Sequence, residues 1–346
     1  LNPVCQSAVE EVESVVDASF VDELERASIT RPMETRSSAK ATAAGAANAG
    51  GSSMRGRSRG GRGRGAGAGG TSEEESGGEG EEDWRRYRET MGPLQYLELE
   101  DLVGFVYRSE SSTTPNRANP QRVKRLGQEH ADLSQSLPLS LSSSVFVRTH
   151  EDQMDWMQQV MISGPDDTPY AGGLFAFDIF FPHNYPQGPP KVKLVTTGGG
   201  HHRFNPNLYA DGKVCLSLLG TWDGDKGENW NSQTSTLLQV LVSIQSLILV
   251  PQPFFNEPGY ERQLAGTEQG TRQSWDYNSK QREGTIRLAM VDMLHRPPPG
   301  FEDVVKGHFF LRRRFLERLM DQYIKEAKAR PSCGNHLTKL QTQVSQ

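Results

Sequence analysis

The stretch GPDDTPYAGGLF at residues 164–175 lies between two runs of strand-forming residues, MDWMQQVMIS (154–163) and LFAFDIFF (174–181). A second turn-rich stretch, FPHNYPQGPPKV (181–192), leads into a further strand-like run, KVKLVTT (191–197). The run SSVFVRT (143–149) precedes them all. Gly, Pro, Asn and Asp clusters between β-branched and aromatic runs are typical of turns between strands. The connections are short, so we predict a four-stranded antiparallel meander.

Helical patterns flank this predicted sheet. Residues 119–138 space Val123, Leu126, His130 and Leu133 along one face of an N-terminal helix that Pro138 ends. Residues 232–250 are apolar on more than one side, which predicts a buried central helix. The runs 284–296 and 301–330 predict C-terminal amphipathic helices. In the second, one apolar stripe is formed by Phe301, Val305, Phe309, Leu316, Met320 and Tyr323. The order predicts an α+β fold with the sheet covered on one face.

Composition divides the chain into five parts. Residues 1–30 have the spacing of a short amphipathic helix. Residues 31–83 are rich in Ala and Gly, then in Arg-Gly, then in acids, and we interpret them as a disordered linker. We expect residues 84–119 to be an extension packed on the core, residues 120–330 to be the catalytic domain, and residues 331–346 to be a flexible tail.

The 346 residues carry a net charge of -5 and only three cysteines, Cys5, Cys215 and Cys333. No CxxC pair or comparable His spacing occurs, so we expect no metal site and no disulfide framework. There is neither a long apolar run nor a secretory signal, so we expect no membrane association. Few cysteines suit a reducing compartment, and we expect a cytoplasmic and/or nuclear protein. The first residue is Leu1 rather than Met, which leads us to expect a fragment of a longer chain.

A third motif, FNPNLYADGKVCLSLL (204–219), follows the two turn motifs and precedes Trp230. The four motifs in this order resemble the ubiquitin-conjugating enzymes, the E2 family with the UBC fold. The resemblance covers about residues 120–330, and its longer pieces are most similar to the branch of giant hybrid E2/E3 enzymes that includes an inhibitor-of-apoptosis E2. It implies that Cys215 carries ubiquitin as a thioester.

The resemblance also implies roles for residues around Cys215. Asn207 matches the family's active-site Asn and is expected to stabilise the oxyanion, or to hold the loop that does. Asn205 stands where most of the family has His, and we interpret it as a support residue, because its amide both donates and accepts. Glu257 is the candidate acid for the incoming lysine, with Asp223 and Asp225 as rivals.

The resemblance further implies the partners. These are ubiquitin, an E1 activating enzyme, protein substrates with an acceptor lysine and, as a further partner, an E3 ligase. No cofactor is expected on this chain, because the E1 consumes the ATP. Gln187 stands where E2s serving HECT ligases have Phe, and residues 231–233 read Asn-Ser-Gln where many E2s that bind RING ligases have Ser-Pro-Ala. Both departures suit an enzyme that selects its own substrates, an inference made by fold-level analogy.

Other interpretations remain open. The chain could be a catalytically silent UBC-fold adaptor, or an RNA-associated protein that uses the arginines of residues 55–64 for weak nucleic-acid contacts. A Cys–His dyad with His201 or His202 is a further alternative for Cys215, although no orienting residue or nucleophile signature accompanies it.

Overall fold

The computed structural model describes residues 74–113, 119–151, 157–222 and 227–329. The predictions for residues 1–30 and 331–346, and those for Cys5, Cys333, Asp223 and Asp225, lie outside these ranges. The α-helices and strands follow one another as α1 (Glu74–Met91), β1 (Tyr96–Leu99), α2 (Arg108–Thr113), α3 (Pro120–Ser136), β2 (Val145–His150), β3 (Met157–Ser163), β4 (Leu174–Phe180), β5 (Lys191–Leu194), α4 (Leu237–Ser243), α5 (Tyr260–Leu264), α6 (Glu268–Gly284), α7 (Asp292–His295) and α8 (Glu302–Lys328). The helices and the sheet together confirm the predicted α+β class.

The sheet has five strands in the order β1-β2-β3-β4-β5 within the described ranges. Strands β2 to β5 pair antiparallel with their neighbours, which confirms the predicted four-stranded meander. The fifth strand, β1, was missed. It pairs parallel with β2 and places Tyr96 opposite Val147. Its four residues lie far from β2 in the sequence. No short turn joins the two strands, so the sequence pattern does not predict their pairing.

Both faces of the sheet are covered, and the expectation of one covered face is wrong. Successive side chains of a strand point to opposite faces. In β2, Val145 and Val147 belong to one core, which includes Leu126 of α3 and Leu241 of α4. Phe146, between them, belongs to a second core formed with α1 and α8. Every residue of β2 and of β4 is buried, because hydrophobic layers lie on both sides.

Helix α1 begins at Glu74, so its first turns fall within the segment 31–83. Its Tyr87 and Met91 are fully buried in the second core. The Tyr87 hydroxyl lies 3.1 Å from Nδ1 of His308 on α8. Composition at 74–83 lacks apolar residues, but packing of the next turns stabilises the helix that continues from them.

Helix α8 carries the predicted apolar stripe. Phe301, just before its first turn, and Val305, Phe309, Leu316 and Met320 are all buried in the second core. Tyr323 is partly buried against the same core. The spacing therefore identified the face that covers the sheet.

Helix α3 begins at the N-cap Asn119, whose side chain accepts from the backbone N–H groups of Gln121 and Arg122. Its buried stripe consists of Arg122, Leu126, Glu129 and Leu133. Val123, predicted to face the core, is 51% exposed. The helix is thus rotated by about one residue from the predicted face, because two charged side chains are buried with partners instead.

Helix α4 starts with a capping box in which Thr236 and Gln239 exchange side-chain and backbone hydrogen bonds. A π-helical segment, Ile244–Ile248, continues it. We expected a buried helix, but one side is exposed to solvent. Val242 of α4 is 41% exposed, and Leu247 of the π-helical segment is 60% exposed. The helix therefore covers the sheet and leaves an apolar strip in solvent.

None of the helices in the described ranges combines the length and apolar composition that crossing a bilayer requires. Among the same residues, no group of three or more His, Cys, Asp or Glu side chains has an arrangement that could hold a metal ion.

Candidate functional site

The segment between β5 and α4 folds into a small hairpin that carries the motif residues. Isolated bridges pair Asn205 with Leu208 and Leu208 with Val214. Gly212 turns the hairpin at φ +90°, and the Leu194 N–H of β5 donates to its carbonyl at 2.8 Å. A Cβ at Gly212 would lie 2.4 Å from the Leu194 oxygen, so glycine is required there. The hairpin is thereby fixed to the edge of the sheet.

Asn207 and Cys215 face each other across this hairpin. The Cys215 N–H donates to the Asn207 carbonyl at 2.9 Å. The Asn207 Nδ2 donates to the Cys215 carbonyl at 2.9 Å. The structure thus brings together the two residues that the motif spaced eight positions apart.

The Cys215 residue is free and only 2% exposed. Burial raises the pKa of its thiol, while the positive charges of Lys213 and Arg203 and a hydrogen bond from Tyr209 act in the opposite direction. Near neutral pH the thiol is therefore mostly protonated. The resting site does not hold a preformed thiolate.

The backbone on both sides of Cys215 is held by Thr221. Its hydroxyl donates to the Val214 carbonyl at 2.7 Å and accepts from the Leu216 N–H at 3.0 Å. A 3₁₀ turn, Ser217–Leu219, follows. The position of the thiol is therefore determined by rigid backbone rather than by a mobile loop end.

Asn205 is completely buried and uses its full hydrogen-bonding capacity. Its Nδ2 donates to the Ile248 carbonyl at 2.7 Å and to the Tyr170 hydroxyl at 3.2 Å. Its Oδ1 accepts from the Asn207 N–H at 2.8 Å and from Asn256 Nδ2 at 3.3 Å. The side chain connects the hairpin to the segment that follows α4.

Glu257 lies on that segment and contacts the hairpin through Arg203. The carboxylate Oε2 is 3.6 Å from Arg203 Nη2, and both side chains are about 40% exposed, at 39% and 42%. The same guanidinium donates to the carbonyls of Asn205 at 3.2 Å and Pro206 at 2.6 Å. Glu257 is therefore part of the network around the motif and is linked to Asn207 indirectly, through Arg203.

Sequence reasoning missed several residues of this network. Tyr209 stands inside the motif stretch and Arg203 directly before it, and the Arg203 guanidinium carbon lies 4.3 Å from the Tyr209 ring centroid. The Lys213 ammonium is 5.6 Å from the same ring. Tyr170 and Asn256 come from distant segments. No spacing rule signals these contacts, although an aromatic residue with a cation on either side of it is a usable signal for Tyr209.

His202 does not pair with Cys215. Its ring is buried, with Nε2 3.0 Å from the Gln281 Oε1 and the ring edge-to-face with Phe204. Burial lowers the pKa of His202, which keeps the ring neutral. His202 therefore packs the hairpin against α6, which argues against a dyad of Cys215 with His202.

The turn motif at 181–192 packs on the motif Trp. The Trp230 Nε1 donates to the Pro186 carbonyl at 2.7 Å, and the Tyr185 ring lies 5.6 Å from the Trp230 ring between centroids. The Tyr185 hydroxyl donates to Glu129 at 2.6 Å. Gln187 at the tip is exposed. This turn therefore presents the Gln187 side chain to solvent.

Comparisons with known proteins agree with this geometry. The family model described as "Ubiquitin-conjugating enzyme" matches residues 125–282. The chain is 51% identical over 224 residues to the mouse "Dual E2 ubiquitin-conjugating enzyme/E3 ubiquitin-protein ligase BIRC6", a match that covers 65% of this chain and 4% of that protein. It is 44% identical over 249 residues to the Caenorhabditis elegans "Probable ubiquitin-conjugating enzyme protein 17", covering 69% of this chain and 34% of that protein.

A further relative is the Arabidopsis thaliana "Putative ubiquitin-conjugating enzyme E2 38", 44% identical over 228 residues, with 65% of this chain and 66% of that protein covered. The chain thus spans only a small part of the first of these relatives. The matched region includes α3 from residue 125 onward, the meander, the hairpin and α4. The family resemblance read from the motifs is confirmed. The chain carries a ubiquitin-conjugating enzyme domain related to the BIRC6 branch of that family.

Proposed function

We propose that this chain acts as an E2 ubiquitin-conjugating enzyme with Cys215 as the acyl carrier. The Cys215 thiol loses its proton, and the sulfur attacks the ubiquitin C-terminal carbonyl held as a thioester on the E1. A new C–S bond forms, and the E1 thiolate leaves. Exchange of one thioester for another is nearly balanced, so no strong base beside the thiol is required.

In the second step a lysine amine of the substrate attacks the thioester carbonyl. The amide bond forms, the Cys215 thiolate leaves, and the amine proton passes to an acceptor. Negative charge develops on the carbonyl oxygen next to sulfur, where a fixed amide donor is most effective. Asn207 Nδ2 donates to the backbone carbonyl of Cys215 at 2.9 Å in the resting site, and in this proposal it turns toward the thioester oxygen. Asn205 supports the loop, and Glu257 is the candidate acceptor that orients the lysine.

The partners in this proposal are ubiquitin, an E1, substrates with an acceptor lysine, and an E3 where one is used. ATP is consumed by the E1, so the chain itself holds no cofactor. The site of action is the cytoplasm and/or the nucleus. Substrate selection by the chain's own flanking regions fits the exposed Gln187 and the Asn231–Gln233 segment, and the relative named as a dual E2/E3 enzyme supports it by analogy.

The observation that carries the proposal is the pair of hydrogen bonds between Asn207 and Cys215, inside a domain that matches the family. The test is incubation of the full chain with E1, ATP and ubiquitin. We expect an adduct that thiol reductants remove, that is absent in Cys215→Ala, and that persists in Cys5→Ala and Cys333→Ala. In Cys215→Ser the adduct should become an oxyester that resists reductants.

Two results would favour the alternatives. A folded chain that binds ubiquitin or an E3 but forms no adduct would be an adaptor. RNA binding that falls steeply with salt and is lost on deletion of residues 55–64, in a chain that forms no adduct, would identify an RNA-associated protein.

A further inference from the structure

Arg203 contacts four residues of the hairpin network. Its guanidinium donates to the carbonyls of Asn205 and Pro206, pairs with Glu257 at 3.6 Å and lies over the Tyr209 ring. A planar guanidinium can make all of these contacts at once, because its N–H groups lie in a fixed fork and its face stacks on aromatic rings. A lysine ammonium at the same place could not satisfy them together.

The contacts fix a single peptide unit from two sides. The carbonyl of Pro206 and the N–H of Asn207 belong to one planar peptide group. Arg203 Nη2 donates to this carbonyl at 2.6 Å, and Asn205 Oδ1 accepts from this N–H at 2.8 Å. The peptide plane from which the Asn207 side chain projects is thus held at both ends. The Nδ2 of Asn207 donates to the Cys215 carbonyl.

We propose that Arg203 is a positioning residue for ubiquitin transfer: it holds the Pro206–Asn207 peptide and the Glu257 carboxylate in the arrangement used when lysine attacks the thioester. This inference rests on the proposed function. Because Asn207 and Glu257 act in the second step, the loss of Arg203 slows transfer to lysine and leaves loading by the E1 intact. A small misplacement of a catalytic group can cost about 100-fold in rate.

The test separates the two steps in the full chain. The Cys215–ubiquitin thioester is formed with E1 and ATP, loading is then stopped, and discharge to free lysine is followed. For Arg203→Lys, which keeps the positive charge near Cys215, we expect discharge to be about 10- to 100-fold slower with an unchanged loading rate. Arg203→Gln should show the same slower discharge and, because it removes a charge that lowers the pKa of the Cys215 thiol, slower loading as well. Combined with Glu257→Gln, the loss should be smaller than the product of the single losses, because both residues act through one arrangement.

Arg282 of α6 supplies a matched control. Its guanidinium pairs with Glu326 at 2.6 Å and stacks 4.2 Å from the Tyr323 ring centroid, the same type of contact away from the hairpin. Arg282→Lys should leave both loading and discharge unchanged. The unfolding midpoints of all variants identify any that fail to fold. If Arg203→Gln is one of them, Arg203→Lys decides whether Arg203 is a positioning residue.

Three results are distinguishable. If the wild-type chain forms no thioester, the proposed function itself fails. If it loads and discharges while Arg203→Lys discharges at the wild-type rate, the proposed function stands and the positioning role is overturned. Equal losses of loading and discharge in a folded Arg203→Lys protein would also overturn the positioning role, since they would indicate a general effect on the hairpin.

Discussion

Replacing Asn205 tests whether the hairpin depends on one buried amide. In Asn205→Ala the Asn207 N–H loses its acceptor, while the Ile248 carbonyl loses one of two donors and keeps the Val250 N–H at 2.9 Å. Both lost bonds join buried or partly buried groups. One backbone group left without a partner costs about 1–3 kcal/mol and the loss of a further hydrogen bond about 0.5–1.5 kcal/mol, so the free energy of unfolding should fall by roughly 1.5–4.5 kcal/mol. For a domain of ordinary stability, about 5–15 kcal/mol, this is a large fraction.

The assay is urea unfolding of the full chain followed by tryptophan fluorescence. Asn119→Ala is a matched control, because Asn119 is an exposed N-cap that accepts from two backbone N–H groups and should cost only about 1 kcal/mol. Asn205→Asp keeps the acceptors and removes the donors. It also buries a carboxylate, and its stability should therefore improve as the pH falls and the group becomes protonated.

The reasoning would be refuted if Asn205→Ala lost no more stability than Asn119→Ala. It would also be refuted if Asn205→Asp were as stable as the wild type at neutral pH, because replacing the buried amide donor by a carboxylate would then cost nothing.

Three further predictions follow from the site and the second core. Asn207→Ala should slow discharge of the Cys215 thioester to lysine by about 100- to 1,000-fold, while loading by E1 persists; comparable loss of both steps would contradict the oxyanion role. Alkylation of Cys215 by iodoacetamide, followed by peptide mass spectrometry, should rise about tenfold per pH unit from pH 6 to 8, because burial raises the pKa of the thiol; a plateau within this range would show a preformed thiolate. Burial lowers the pKa of His308 to about 3, so the unfolded chain binds this proton first. Unfolding free energy should then fall by up to about 1.4 kcal/mol per pH unit as the pH drops from about 6.5 toward 3, a slope that should become shallower in His308→Gln.

The meander could be read from the sequence because its information is local. Alternating runs are separated by Pro- and Gly-rich turns, and each strand pairs with the next one along the chain. The same locality explains why β1 was missed, since its partner β2 lies beyond helix α3. Helix α1 starts in an acidic, apolar-poor segment, and only tertiary packing of Tyr87 and Met91 stabilises it.

Side-chain burial was predictable where apolar residues decide it and not where polar pairs do. The stripe on α8 was correct because Phe and Val residues set it. On α3 the face turns toward Glu129, whose Oε2 accepts from the Leu237 N–H at 2.9 Å. Because its carboxylate has buried hydrogen-bond partners, Glu129 faces the core while Val123 faces solvent. A hydrophobic pattern does not predict this arrangement.

The candidate site divides in the same way. Asn207 and Cys215 stand in one hairpin, so a motif brings them together. The partners of Asn205 come from Tyr170, Ile248 and Asn256, which the chain reaches only after the sheet and α4 have packed. Their contacts therefore depend on tertiary structure, and sequence reasoning identified Asn207, Cys215 and Asn205 but not the residues that hold Asn205.

Because the sheet is buried on both faces, only part of this domain's surface is open to contact with other molecules. Strands β2 and β4 offer no side chain to solvent, so their amides should be among the slowest to exchange with deuterium in the described ranges. Within the described ranges, the surfaces open to another protein include turns, helix flanks, the edge strands and the apolar pair formed by Val242 of α4 and Leu247 of the π-helical segment after it. Changes in partner choice can therefore accumulate in these surface elements without repacking the sheet.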